Sequence, residues 1–462
     1  MKQPGLLVFL MPLAALADVG CQSPRGNVGL EGVQLSSSRT QWNDHDNAFK
    51  HNTLLNVYGS ASLNCYAGEA LTFKGEANGE FIWHRHQPGS LQDRRRQGRM
   101  FYNLAALSWA ARENLFIDAG KIRRRYGYLY TVSPLDLLRN PHGAFRSVHV
   151  NAAGDSWPAF YDEGSWGISA SLLTASGSWD AVILPRLTQE NTDIDADYHE
   201  SSLKRTNAQD RYLFSYSTSG LANRTSTISL LAGAQKRLSA GVNYMLNDNW
   251  VLNLEGGFAK GQTWRHLQKE ATQGLHSYDA SATKEPFSRR SGGVTGDIGG
   301  GVRYTSSEQI ESGVEYYGQS QGYSRSEWRQ LTRDVAFANG GYINPRYPIT
   351  SLPIVQDGFR LYSRLMAAEI DRTGRQGALQ TKHYLMLFNS RNRSETGALN
   401  WRTSAIANLT DGSVLTTMQV SSPVRDDTEI YTGTTLSFGR AGSEFSLFGE
   451  KGLYYAGLRY FW

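Results

Sequence analysis

The chain has 462 residues, 40% of them hydrophobic, two cysteines and a formal net charge of +5. Two cysteines exclude a disulfide scaffold and a cysteine-rich zinc or iron–sulfur module. After the N-terminus no apolar run approaches the roughly 20 residues of a membrane helix, which excludes a helical membrane protein. Aromatic residues persist to the last position, with 24 Tyr, 18 Phe and 11 Trp beside 47 Gly, and this argues against disorder and for a β-rich chain.

In chain order, residues 1–17 read as a secretory signal peptide. Lys2 supplies the positive end, Leu6–Met11 the apolar core, and Ala15-Leu16-Ala17 an A-x-A cleavage site. Cys21 has two expected fates: lipidation, or pairing with Cys65 in an oxidising compartment. Residues 18–52 are polar and pattern-poor and are expected to form a periplasmic arm or a plug. Residues 53–462 are expected to be one barrel, for the following reason.

From about Leu54 onward, runs of about ten residues alternate apolar with small or polar side chains and then turn. Trp166, Ile168, Ala170 and Leu172 oppose Ser165, Gly167, Ser169 and Ser171. Leu238, Ala240, Val242 and Tyr244 oppose Ser239, Gly241 and Asn243; after Asn247-Asp248-Asn249, Trp250, Leu252, Leu254 and Phe258 oppose Asn253 and Glu255. The same parity runs through Ile298–Tyr304, Phe359–Leu365 and Leu399–Ala405. A period of two places each set on one face of a strand. Charges on the polar face and aromatics closing the apolar face predict an all-β, closed antiparallel transmembrane β-barrel of about 18 strands (16–20), lipid outside and water inside. In hydrocarbon only closure pairs every backbone group of a sheet.

The turns sort by length. Short ones are expected near 111–113, 176–177, 220–225, 247–249, 305–308, 371–377, 409–412 and 439–442, with a further, weakly signalled one at Gln235-Lys236-Arg237. Long ones are expected near 85–98, 125–163, 189–210, 260–292 and 320–358. Short periplasmic turns and long external loops are a barrel property. Parity then points Arg303, Arg360, Arg364, Arg402 and Arg459 inward, with Asp180, Asp297, Glu255, Glu311 and Glu315. Facing charges of both signs make a selective lumen, and unpaired arginines favour anions. The alternative is a wall braced by ion pairs. Aromatics of loop 125–163 (Tyr126, Tyr128, Tyr130, Phe145, Trp157, Phe160, Tyr161) suit either stacking on sugar rings or a self-packed cap.

Two arginine runs stand apart. Arg94-Arg95-Arg96 with Arg99 lies in an expected external loop, suited to lipopolysaccharide phosphates or to solvent. The second, Lys121 with Arg123-Arg124-Arg125, runs on through Tyr126-Gly127-Tyr128 into Ser133-Pro134-Leu135-Asp136. This basic strand, glycine turn and proline–aspartate loop resembles those of alginate-export-type outer-membrane channels, and the resemblance implies an arginine-lined conduit for a polyanion or sugar. At the end of the chain, Tyr454, Ala456, Leu458, Tyr460 and Trp462 alternate up to a terminal aromatic. This resembles the C-terminal signal read by the barrel-insertion machinery of Gram-negative outer membranes and implies that location.

A hydrolase is not expected. Gly318-Gln319-Ser320-Gln321-Gly322 matches G-x-S-x-G but follows an alternating strand and enters a polar loop, not the turn into a buried helix that the motif needs. Asp44-His45-Asp46 with His51, and His84 with His86, lack the fixed ligand set of a metal site, so neither metal nor cofactor is expected. Nucleic acid is a poor partner for an exported chain of mixed charge. The expected function is an outer-membrane channel for a hydrophilic, anionic or carbohydrate solute. The alternatives are a general porin, and an adhesin or assembly scaffold with an occluded barrel.

Overall fold

The computed structural model describes residues 19–37, 53–84, 98–142, 161–189, 201–219, 223–277, 286–375, 377–447 and 449–462. The expected signal peptide, Arg94-Arg95-Arg96, His45, His51 and His86 lie outside these residues.

Eighteen antiparallel strands form one closed barrel. They are β1 (Arg25–Ser37), β2 (Thr53–Ala67), β3 (Leu71–His84), β4 (Gly98–Arg112), β5 (Leu115–Ile122), β6 (Ser165–Thr174), β7 (Gly177–Leu184), β8 (Arg211–Thr218) and β9 (Arg224–Gly233). There follow β10 (Arg237–Met245), β11 (Trp250–Lys260), β12 (Val294–Thr305), β13 (Ile310–Gln319), β14 (His383–Arg391), β15 (Asn400–Asn408), β16 (Val414–Arg425), β17 (Thr428–Phe438) and β18 (Glu450–Phe461). Each strand pairs with the next, and β18 returns to β1 through Leu30 opposite Leu458 and Gly29 opposite Arg459. Closure leaves no open edge.

Alternation sets the faces as the sequence implies. Trp166, Ile168, Leu230, Leu238, Leu252, Leu254, Phe258 and Ile298 are exposed, while Ser169, Ser229, Ser239, Asn253 and Glu255 on the other parity are buried. So much large apolar surface cannot face water over a whole barrel; it is a lipid belt. Exposed Trp109, Trp179, Trp250 and Trp462 edge it at the short-turn end, and Trp166, Tyr212, Tyr102 and Phe81 at the other. Two aromatic girdles are what a membrane-spanning barrel presents to headgroups.

Three expectations need correction. Residues 18–52 are not simply an arm or plug: Arg25–Ser37 is the strand that closes the barrel, its glycine-rich run taking up strand pairing on both sides. Val19–Cys21 adds a short strand on β2, where Cys21 faces Cys65 and is joined to it by a disulfide; that sulfur is used in the bridge and not in a lipid linkage. Phe359–Leu365 is not a strand but part of helix α4 (Pro353–Arg375). Its buried residues Tyr362, Met366, Ala367 and Ile370 recur at helical spacing, and a seven-residue window cannot separate that period from two. The turn expected at 371–377 therefore falls largely within α4. Counting it put the later turns out of phase: 392–399 and 426–427 lie with the short turns, whereas 409–413 and 439–449 lie at the long-loop end. The weakly signalled turn at Gln235–Arg237 is present.

At the long-loop end, helices α1 (Ser202–Thr206), α2 (Lys269–His276), α3 (Arg325–Ala336) and α4 interrupt the loops. Ser324 and Glu327 start α3 as a reciprocal capping box. Trp264, Leu275, Phe287, Trp328, Leu331, Val335, Tyr362, Met366 and Ile370 share one hydrophobic core, so the β11–β12 and β13–β14 loops form one helical cap. Arg265 on Glu369 and Trp328 Nε1 on the Gly442 carbonyl at 2.9 Å tie it together.

Candidate functional site

The loop that leaves β5 at Arg123 does not stay outside. Its described part, residues 123–142 and 161–164, lies against inward-facing side chains from β3 round to β14. Glu255 of β11 accepts the backbone N–H of Tyr128 (2.5 Å), Leu129 (2.9 Å) and Leu135 (3.2 Å), and the Ser133 hydroxyl. Glu315 of β13 accepts those of Tyr130 (2.6 Å) and Thr131 (3.0 Å). Two strand carboxylates thus hold a loop backbone that would otherwise bring unpaired N–H groups into the wall. Arg237 of β10, paired with Asp297 at 2.5 Å, donates to the Pro134 carbonyl at 3.0 Å. Tyr130 stacks on Phe388 with ring centroids 4.4 Å apart.

Glycines make room for this contact. A Cβ on Gly299 would stand 2.4 Å from a methyl carbon of Leu129, so this inward glycine of β12 leaves the wall bare where the loop rests. Within the loop, Asp136 accepts the N–H groups of Tyr126 and Gly127 at 3.0 and 2.7 Å and pairs with Arg125 at 3.2 Å. A Cβ on Gly127 would meet Ser133 Oγ at 2.1 Å; only glycine allows that turn.

The arginine run lies at the start of this loop, beside β3, β5 and β6. Arg123 pairs with Glu76 at 3.0 Å, Arg124 with Asp118, and Arg125 with Asp136. In each pair the cation is the more exposed partner: 37, 28 and 43% against 26, 18 and 3%. Glu76 and Asp118 project from β3 and β5, and Asp136 belongs to the loop itself, so each arginine keeps more contact with solvent than the carboxylate that holds it. Lys121, by contrast, is buried against Glu163 at 2.6 Å, and Arg205 holds the other oxygen of that carboxylate at 2.9 Å; this group fixes the start of the loop.

The other expected lumen residues divide. Arg303 meets Glu311 at 3.3 Å, and Arg459 meets Glu429 at 3.6 Å with its guanidinium 5.5 Å from the Tyr431 ring centre. Arg402 is half-buried on the inner face of β15. Asp180 accepts Ser171 Oγ. These brace the wall. Arg360 is misplaced by the strand reading: it is exposed on α4, 3.7 Å from Asp357. Arg364 lies on the same helix, with its side chain outside the described residues. Leu458, Tyr460 and Trp462 face outward from β18. Sequence reasoning missed Arg237 and Glu76 as partners of the loop; the first stood in a weakly signalled turn and the second in a strand left unparsed.

A second segment turns inward at the same end. Within 439–449, buried Glu444 accepts Gln380 N at 2.9 Å, Tyr384 OH at 2.6 Å and Asn408 Nδ2 at 2.7 Å. Phe445 joins Tyr317, Tyr384, Met386, Ile406 and Leu415, and Tyr130 and Val132 of the first loop pack on the same cluster. The two infolded segments therefore meet along β13–β16.

No family model and no curated protein matches the chain. Among solved structures, OccAB1 of Acinetobacter baumannii aligns at a TM-score of 0.50 and 9% identity, over 95% of this chain and 96% of that one. OpdL of Pseudomonas aeruginosa aligns at 0.49 and 9%, over 97 and 99%. OmpF of Salmonella typhi, solved with daunomycin, aligns at 0.44 and 11%, over 95 and 97%. At such identity the likeness concerns the fold, and the fold is that of Gram-negative outer-membrane porins.

Proposed function

We propose that this protein is an outer-membrane channel through which small hydrophilic solutes diffuse down their gradients, with a preference for anions. The observation that carries the reading is the loop of 123–140, held on the inner wall with Arg123, Arg124 and Arg125 each more exposed than the carboxylate it pairs with. In a lumen of reduced dielectric such a bias attracts anions and repels cations. Guanidiniums also offer two-point contacts to a carboxylate or phosphate.

The carbohydrate version of the reading is weaker. Tyr126 is half-buried in an apolar cluster, Tyr128 bonds Thr227 at 2.5 Å, and Tyr130 is stacked on Phe388. These rings fasten the loop and are spent as sugar platforms; Phe145, Trp157 and Phe160 lie outside the described residues. No catalytic role is assigned. On this reading the outward Leu458, Tyr460 and Trp462 serve the barrel-insertion machinery, and outer-membrane lipid and lipopolysaccharide surround the belt.

Swelling of liposomes carrying the purified barrel tests this. Acidic monosaccharides or small dicarboxylates should enter faster than neutral solutes of equal size, and cationic ones slowest. Equal rates for all three would remove the anion preference and leave a general porin. The infolding at 439–449 favours a second reading, a scaffold with a blocked lumen; no swelling with any solute would select it.

A further inference from the structure

The outer face of the barrel is not uniformly smooth. Across β8–β12 one row of outward positions runs Tyr216, Ile228, Ala240, Gly256, Ile298, each paired in register with the next. Large side chains stand at its ends and small ones at its middle. The result is a trough of about 510 Å³ over Ala240 and Gly256, rimmed by Leu254 and Val242. At the membrane depth of this row water has no polar partners, and an apolar hollow is filled by something apolar.

The end of the trough toward the short turns is different. Thr218, Arg224 and Ser226 line it there, breaking the aromatic girdle between Tyr216 and Tyr244. Arg224 is exposed at the first position of β9. It donates from Nε to Ser226 Oγ at 3.1 Å, and among the described residues no carboxylate pairs with it. Ile228 follows four residues later, about 13 Å along the strand. A charge at the interface with an apolar trough reaching inward from it matches one amphiphile: a phosphodiester head at the guanidinium and a hydrocarbon chain in the hollow.

We propose that this trough is a binding site for one glycerophospholipid of the leaflet on the short-turn side, with Arg224, Ser226 and Thr218 holding its phosphate and Ala240 and Gly256 flooring its acyl chain. The site rests on the barrel spanning a membrane but not on conduction.

The test uses the full barrel refolded with dioleoylphosphatidylglycerol, then stripped of detergent in native mass spectrometry. One lipid should persist on the wild type after bulk lipid is lost. Gly256→Leu fills the trough; a Cβ there meets nothing nearer than the Asp297 carbonyl at 3.5 Å, so the strand keeps its pairing. It should abolish the retained lipid, as should Ala240→Trp. Arg224→Gln, which keeps the trough, should cut retention about tenfold, the scale of one charge-assisted hydrogen bond. Dioleoylphosphatidylethanolamine should be held as well, since the phosphate is shared. Equal retention in wild type and Gly256→Leu would overturn the site. So would retention of lipopolysaccharide in its place, or a wild-type oligomer that Ala240→Trp splits, because a second copy would then fill the trough. Channel conductance should not change in any variant, which separates failure here from failure of the channel reading.

Discussion

Replacing Glu255 and Glu315 together by glutamine should release the lumen loop without unfolding the barrel. The two carboxylates accept five backbone N–H groups and the Ser133 hydroxyl, all from residues 128–135. A glutamine keeps one acceptor oxygen and turns an NH2 toward groups that are themselves donors. A hydrogen bond to a charged group contributes about 1.5–3 kcal/mol net. Losing one such bond at each carboxylate costs about 3 kcal/mol, which raises the population of the released loop roughly a hundredfold. The strand pairings of β11 and β13 do not use these side chains, so the barrel should stay folded in the variant. In single-channel recordings the wild type should hold one main level, and the double variant should make frequent excursions to a larger one. An unchanged level with unchanged noise, in a variant shown to be folded, would refute the claim that these carboxylates hold the loop in the path of the ions. Glu311→Gln, which touches Arg303 and not the loop, should leave the level as it was.

Other outcomes follow from the same contacts. Arg360→Glu should leave ion selectivity unchanged, because that residue sits on the helical cap; a shift would return α4 to the lumen. Cys21→Ser with Cys65→Ser opens a bridge of sequence separation 44, worth about 4 kcal/mol by chain-entropy arithmetic. A lowered apparent Tm, matched by reduction of the wild type, should report it. His266 is buried in the cap, and burial holds its imidazole below the usual histidine range against the pull of the Gln321 and Trp264 carbonyls. The cap is therefore stable above about pH 6.5 and loses stability as pH falls from there toward the lowered value. Proteolysis of the β11–β12 loop should accelerate at pH 5, and His266→Gln should flatten that dependence.

Much of the fold was legible because a period of two is visible wherever one face meets lipid. Leu238–Tyr244 and Trp250–Phe258 show it without ambiguity. It failed at Phe359–Leu365, where only the wider spacing of Tyr362, Met366 and Ile370 reveals a helix. It failed again at Arg25–Ser37, where glycines thin the apolar face. The basic run was read as chemically meaningful from its residues alone. Its position was not, because the loop is placed by Glu255 and Glu315, each more than a hundred residues away in the chain. Parity aimed both carboxylates inward, but nothing local says that a loop, not a solute, receives them.

The most direct measurement is the reversal potential of the reconstituted channel across a potassium chloride gradient, for the wild type and for Arg123→Gln with Arg125→Gln. The wild type should reverse on the chloride side of zero, and the double variant should move toward potassium. A wild-type channel that reverses on the potassium side, or a variant that reverses where the wild type does, would contradict the account.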